Sequence, residues 1–218
     1  MISRPLSKKE YSLLLEADKK VYPTSNPVTP KILDEWFQNN PEFGIVFEEN
    51  KKVQGILVII PLNKKGWNKL ISGELAEADL NKETIFDNNK DKEIGLHCYH
   101  IEKFDKSVPN FYKESLDALE KIVKALRKSN PSLKVCGFSA LCVTSEGIGL
   151  FHNKLNCRER DFINSENILK KEDKIEIFNT SSQKELDKKL EEGYEYVNRC
   201  KMLVTYPEEV SIAWKYLK

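Results

Sequence analysis

Apolar positions along the chain recur with two periods, and the switch between them separates helices from strands. From Leu6 to Val21, Leu13, Leu14, Ala17 and Val21 recur at helical spacing. Ser7 is placed as a cap there, with Glu10 three residues on as in a capping box. Pro23, Pro27 and Pro30 interrupt the next stretch. Thr29 then precedes a short helix whose first residue is Pro30, where a missing N–H costs nothing. Ile32, Leu33, Trp36 and Phe37 give this helix its apolar side, and residues 39–41 end it. Two apolar runs follow, Phe43 to Glu48 and Val53 to Pro61, on either side of a charged turn, which predicts a β-hairpin. Residues 67–71 read as a short helix or loop, 73–80 show neither period, and 87–92 form a solvated turn.

The strand pattern resumes over Glu93 to Phe104. In a regular strand Leu96, Cys98, His100 and Glu102 point one way, and His97, Tyr99, Ile101 and Lys103 the other. Residues 110–128 carry the clearest helical stripe, with Phe111, Leu116, Leu119, Ile122, Val123 and Leu126 on it. A strand over 134–143, a short helix from Ser145 to Lys154 and a turn into a further strand come next. A charged helix over 183–191 and a terminal strand from Tyr194 to Tyr206 complete the pattern. This order predicts an α/β fold, a single twisted mixed sheet with helices on both faces, forming one domain over residues 1–218.

Composition narrows the function classes. A net charge of +1 lacks the positive excess that phosphate neutralisation demands, so no nucleic-acid partner is expected. The longest apolar run, near residues 56–60, falls far short of the roughly 20 residues that span a bilayer, so no membrane partner is expected either. The first residues lack the apolar segment of a signal peptide. Five cysteines, an odd number with no CxxC pair, read as free thiols in a reducing compartment, and the expected location is cytoplasmic.

Three stretches carry a family likeness. They are the hairpin strand Val53–Pro61 with its early Gly55, the strand Ile94–Lys103 followed by the long helix, and residues 144–157. Together with the element order, which covers roughly residues 5–206, they resemble the GCN5-related N-acetyltransferase (GNAT) superfamily. The resemblance implies an acyl-CoA N-acyltransferase-like fold, acetyl-CoA or another acyl-CoA as substrate, and a small-molecule or peptide amine as acceptor. It also implies two splayed central parallel strands. The pantetheine arm would lie along the first of them, and the pyrophosphate at the N-terminus of the next helix. The sequence departs from the family at three points. Residues 104–115 hold no glycine where a glycine-rich loop is usual, Phe151 stands at the frequent tyrosine acid, and Asn156–Cys157 replace a closing Gly-Phe pair. Those departures support an alternative, a catalytically inactive CoA-binding or interaction module on the same fold.

The chemistry needs an aligned amine, a proton acceptor for it, and stabilisation of an oxyanion. The catalytic candidates are His100, Tyr99, Glu74 and Glu77. Histidine titrates near neutral pH. Glu74 and Glu77 lie in the segment that faces the acceptor in related folds, unless they are only a solvated edge. His97 is a further polar candidate, or a structural histidine. On a regular strand His97 and His100 diverge, which suits no single zinc ion, so no metal is expected. The resemblance points to Ile101, Glu102, Lys103, Phe104, Ser107, Asn110 and Phe111 along the cofactor strand and loop, and to Ser145, Phe151 and Asn153 beside the thiol end. Lys103, Lys106 and Lys113 either add positive charge there or simply solvate a helix end. Ser145 serves equally as a helix cap, and Cys142, in an apolar run, lacks a sequence partner that would activate it.

Overall fold

A computed structural model describes residues 1–21, 26–105, 108–160, 166–179, 182–198 and 200–218. Its main sheet has seven strands: β1 (Ile2–Pro5), β2 (Gly44–Glu49), β3 (Lys52–Asn63), β4 (Glu93–Lys103), β5 (Lys134–Cys142), β6 (Arg158–Glu159) and β10 (Lys201–Thr205). Their order is β1-β2-β3-β4-β5-β10-β6. Every pairing is antiparallel except β4 with β5. The mixed sheet covered on both faces is the architecture the pattern predicts. One face carries α1 (Tyr11–Val21), α2 (Pro30–Phe37) and α3 (Lys64–Ile71). The other carries α4 (Phe111–Ser129), α5 (Ser145–Ile148) with the π-helical turns Gly149–Lys154 that continue it, and α7 (Trp214–Leu217).

Three features differ from the expectation. The strand β1, with Ile2 its one aliphatic side chain, has too little apolar pattern to be read. A second sheet of order β8-β7-β9 is made by the hairpin β7 (Glu166–Lys171) and β8 (Lys174–Asn179) with β9 (Glu195–Asn198). The terminal strand expected over 194–206 therefore divides, with β9 pairing to β7 and β10 to β5. Between β8 and β9 of this second sheet runs α6 (Gln183–Glu191). In α1 the inward stripe is Tyr11 and Leu14, while Leu13 is 39 % exposed.

The parallel pair is pinned at one end. Asn63 caps α3 by accepting the Gly66 N–H at 2.8 Å. Four residues on, α3 lays Trp67, 1 % exposed, across both strands. A Cβ added at Gly95 would lie 2.2 Å from Trp67 Cγ, and one at Gly137 2.0 Å from Trp67 Cη2. The indole thus rests on one bare backbone in each strand, a closeness that only glycine permits.

At the other end the pair comes apart. The β4–β5 ladder runs from Glu93–Lys134 to Cys98–Ala140 and stops, although β4 continues to Lys103 and β5 to Cys142. On its other edge β4 pairs Cys98 with Ile59 and His100 with Val58, so Tyr99 is an extra residue, a β-bulge. This corrects the regular alternation expected of the strand. Cys98 and Ile101 both face the α4 side, while His97, Tyr99 and His100 face the side of α1 to α3.

Replacing Gly137 by Ala forces Trp67 off the sheet. Gly137→Ala is expected to cost about 1–3 kcal/mol, the usual penalty of overpacking, read as a lower urea midpoint with an unchanged slope. An unchanged midpoint would show that Trp67 does not pin the pair.

Candidate active site

A cavity of about 460 Å³ occupies the gap between the parted strands. Its walls are Cys98–Lys103 of β4 and Ala140–Thr144 at the end of β5, with Asp18, Glu77, Glu146, Gly147 and Phe151 around them. Asp18 and Glu77 belong to the α1–α3 side, and Phe151 to the α4 side, so the cavity passes through the sheet. Beyond Cys98 the strand has no ladder partner in β5, and residues 99–103 line the cavity instead.

The α1–α3 mouth is polar. Tyr99 Oη donates to Asp18 Oδ2 at 2.6 Å. His100 places Nδ1 3.9 Å from Asp18 Oδ1, and its Nε2 lies 3.1 Å from Glu102 Oε2, so Nε2–H donates to Glu102. The bulge makes this convergence, because without it Tyr99 and His100 would lie on opposite faces. Trp36 braces the cluster twice. Its ring meets Tyr99 edge-on at 5.1 Å, and its Nε1–H donates to Leu80 O at 3.3 Å, anchoring the turn that carries Glu77. Burial raises the Asp18 pKa above the ordinary carboxylate value, the Tyr99 hydrogen bond opposes this, and the nearby Glu77 adds to it. The hydrogen bond from His100 lowers that of Glu102.

Behind this mouth lies His97, fully buried. Its Nδ1 is 2.9 Å from Ser139 Oγ and its Nε2 is 2.8 Å from Glu77 Oε1. Trp67 Nε1–H donates to the same Ser139 oxygen at 2.9 Å.

The α4 mouth is largely apolar. Phe151, 2 % exposed, packs on Phe138 with ring centres 5.6 Å apart. Thr144, and not Ser145, caps α5, accepting the Gly147 N–H at 3.0 Å. Burial raises the Cys98 thiol pKa and pushes that of Cys142 up to about 12, so neither is a ready nucleophile. In the turn before α4, Asn110 takes the left-handed backbone (φ 51°) that a glycine would otherwise supply.

The structure brings Glu77, Tyr99, His100, Ile101, Glu102, Lys103 and Phe151 together around the cavity. The remaining candidates stand elsewhere. Glu74 is exposed and accepts from Ser72 Oγ at 3.1 Å. Phe104 is among the exposed large hydrophobic residues, and Ser145 bonds Glu146 instead. Asn153 is exposed beside His152, 3.0 Å away. Phe111 is a core residue, edge-on to Phe47 at 4.9 Å. Asn110 shapes the backbone without lining the cavity. Lys103 Nζ donates to Val108 O at 3.1 Å, tying the strand end to the loop. Ser107 and Lys106 lie outside the described residues. Among the described residues no group of three His, Cys, Asp or Glu side chains is disposed to hold a metal ion, and no helix is long and apolar enough to cross a membrane. Asp18, Ser139 and Trp67 were not legible as site residues. Asp18 does carry a signal, because it stands seven residues after Tyr11 and four after Leu14 and so shares their buried stripe.

Asp18 titrates above its unfolded value, so its burial opposes folding at neutral pH, and that opposition fades as pH falls through the folded value. Tyr99→Phe removes a donor to the charged carboxylate. It is expected to raise the Asp18 titration midpoint further, seen by carboxyl ¹³C NMR. It should also lower stability at pH 7 by about 1.5–3 kcal/mol, the scale of a hydrogen bond to a charged group. A midpoint that stays or falls would contradict the hydrogen bond as drawn.

No protein-family model matches the sequence, and no curated protein matches it significantly. Solved structures do match. Naa50 of Arabidopsis thaliana, solved with a bisubstrate analogue, is 8 % identical, with 94 % of this chain and 97 % of that one covered and a TM-score of 0.46. The GphF GNAT-like decarboxylase, solved with isobutyryl-CoA, is 12 % identical, with 94 % and 99 % covered and a TM-score of 0.47. The loading GNATL domain of CurA from Lyngbya majuscula is 10 % identical with a TM-score of 0.43, and the match covers 65 % of this chain and 64 % of that domain. The sheet has one parallel pair, set between antiparallel strands and parted at one end, as the GNAT resemblance implies.

Proposed function

We propose that the chain is a divergent GNAT-type N-acyltransferase that moves an acyl group from acyl-CoA to an amine within the parted strands. The observation that carries this reading is the end of the β4–β5 ladder at Cys98–Ala140, which leaves strand backbone facing a cavity open through the sheet. A pantetheine arm is an extended chain of amides. It fits along β4 beyond Cys98 as an added strand would, beside His100, Ile101 and Glu102 on the cavity wall.

The two mouths suit the two halves of the reaction. The acceptor enters as an ammonium and must lose a proton before its nitrogen attacks. Carboxylates of Asp18, Glu77 and Glu102 line that side and attract a cation. The new C–N bond forms as the C–S bond breaks, and the electron pair leaves on sulfur. A thiol has a pKa of about 8.5, so the departing thiolate takes its proton from water without a strong acid. Phe151 at the usual tyrosine position therefore does not preclude turnover. Tyr99 is no replacement acid, since its hydroxyl is engaged by Asp18. The missing loop glycines leave the pyrophosphate to the N-terminus of α4, where Asn110 supplies the turn. Five free cysteines suit a reducing compartment such as the cytoplasm. The buried, apolar Phe151 favours one other reading, a CoA-binding module without turnover.

Calorimetry with acetyl-CoA, CoA and desulfo-CoA, followed by a thiol-release screen over small amines and peptides, tests both. Binding between about 1 μM and 1 mM, the common range for enzyme substrates, with amine-dependent thiol release is the expected result. Binding without release supports the module. Folded protein that binds no acyl-CoA overturns both.

A further inference from the structure

The polar chain Trp67–Ser139–His97–Glu77 has a direction. Indole N–H only donates, so Trp67 occupies a lone pair of Ser139 Oγ, 2.9 Å away. The Ser139 hydroxyl hydrogen is then directed at His97 Nδ1, also 2.9 Å away. A proton on Nδ1 would put two donors on Ser139 and orphan its own hydrogen in a fully buried place. Nδ1 is therefore the acceptor, and Nε2 carries the hydrogen donated to Glu77 Oε1 at 2.8 Å. Glu77 is the one member that reaches the cavity. Its side chain is 13 % exposed, and Oε1 is the oxygen that His97 holds.

Resting on the acyl-transfer reading, we infer that Glu77 is the proton acceptor for the attacking amine, and that Trp67, Ser139 and His97 are positioning residues that aim it. His97 holds Oε1, which fixes the carboxylate plane and turns Oε2 to the cavity. The ammonium N–H bond breaks and its proton passes to Oε2. The freed electron pair forms the C–N bond as the C–S bond breaks with its pair on sulfur. The nitrogen's second surplus proton passes to the departing thiolate directly or through water, and Glu77 returns the first to solvent through the polar mouth. The chain also couples the base to the fold, because Trp67, which pins the parallel strands, fixes the hydrogen-bond direction that ends at Glu77.

Two measurements test this on the intact protein. Imidazole ¹⁵N NMR, with His97 assigned through His97→Gln among the three histidines, is expected to show hydrogen on Nε2 and a lone pair on Nδ1. The Nδ1–H form, or an even mixture, overturns the chain without reference to activity. In steady-state assays Glu77→Gln is expected to lower kcat by about 10²- to 10⁴-fold, the scale of general-base catalysis. Ser139→Ala should lower kcat roughly ten-fold, about one lost neutral hydrogen bond's worth, with KM for acyl-CoA unchanged and the His97 tautomer signal mixed. A purely structural serine would move stability or KM and leave kcat alone. If Ser139→Ala folds and keeps kcat within two-fold, the positioning role is overturned while acyl transfer stands. If the wild type binds acyl-CoA but releases no thiol with any amine, acyl transfer fails, and the role given to Glu77 fails with it.

Discussion

The structure depends on a parallel strand pair that is held at one end and released at the other. Hydrogen bonding between β4 and β5 ends at Cys98–Ala140, and the cavity begins there. A sheet ordinarily closes such a gap, since unpaired backbone groups shut away from water are costly. Here the outer neighbours take up the strands. β3 pairs with β4 as far as Lys103, and β10 pairs with β5 as far as Cys142, so each strand stays paired on its outer edge past the point where its partner leaves. Trp67, seated on Gly95 and Gly137, fixes the closed end. The gap is thus built into the register and does not depend on a mobile loop.

The bulge at Tyr99 does a second thing with one extra residue. It turns His100 to the face that already holds Tyr99 and His97. Three polar side chains of a single strand then meet carboxylates from elsewhere, Asp18 of α1 and Glu77 of the turn after α3. Burying this much charge opposes folding, as the raised Asp18 titration shows. The opposition is offset locally. Tyr99 donates to Asp18, His97 to Glu77 and His100 to Glu102, so each carboxylate has a nearby donor, and Trp36 packs over the cluster. Stability sacrificed at one place and recovered around it is common where a fold keeps polar groups for use.

How much of this was legible follows from the range of each interaction. Periodicity is local, so the hairpin, the strand over Glu93–Phe104 and the helix after it could be read from neighbouring residues alone. The cap at Thr29 could be read for the same reason, and its hydroxyl does accept the Ile32 N–H at 3.3 Å. Register is not local. One bulged residue inverts which side chains share a face, and nothing in the run from Leu96 to Lys103 marks Tyr99 as the extra one. For that reason the three polar residues His97, Tyr99 and His100 were visible in the sequence while their shared face was not. Pairings between distant segments were equally hidden: β9 and β10 read as one strand, because only their partners, β7 and β5, tell them apart. Asp18 carried a local signal, whereas Trp67 meets glycines that only the folded sheet brings to it. One is a carboxylate on an apolar helical stripe, and the other is a large ring between two strands that each hold a glycine at the contact.

On the acyl-transfer reading proposed above, the departures from the GNAT pattern bear differently on the two ends of the reaction. A thioester's leaving group is already a stable anion, so the loss of an acidic hydroxyl at Phe151 removes a convenience. An amine held as ammonium cannot attack at all, so the need for a base remains in full. The residues divide the same way. The α4 mouth is apolar around Phe151, while the α1–α3 mouth gathers carboxylates, a tyrosine and His100, with His97 behind it. A fold that had kept only a binding role would have little use for a buried histidine whose hydrogen is aimed by an indole and a serine at a carboxylate on the cavity wall. Such a chain constrains orientation more than it adds stability, since buried polar networks at best balance their own desolvation. The asymmetry between the mouths therefore weighs toward proton transfer from an amine and away from a passive groove for the cofactor.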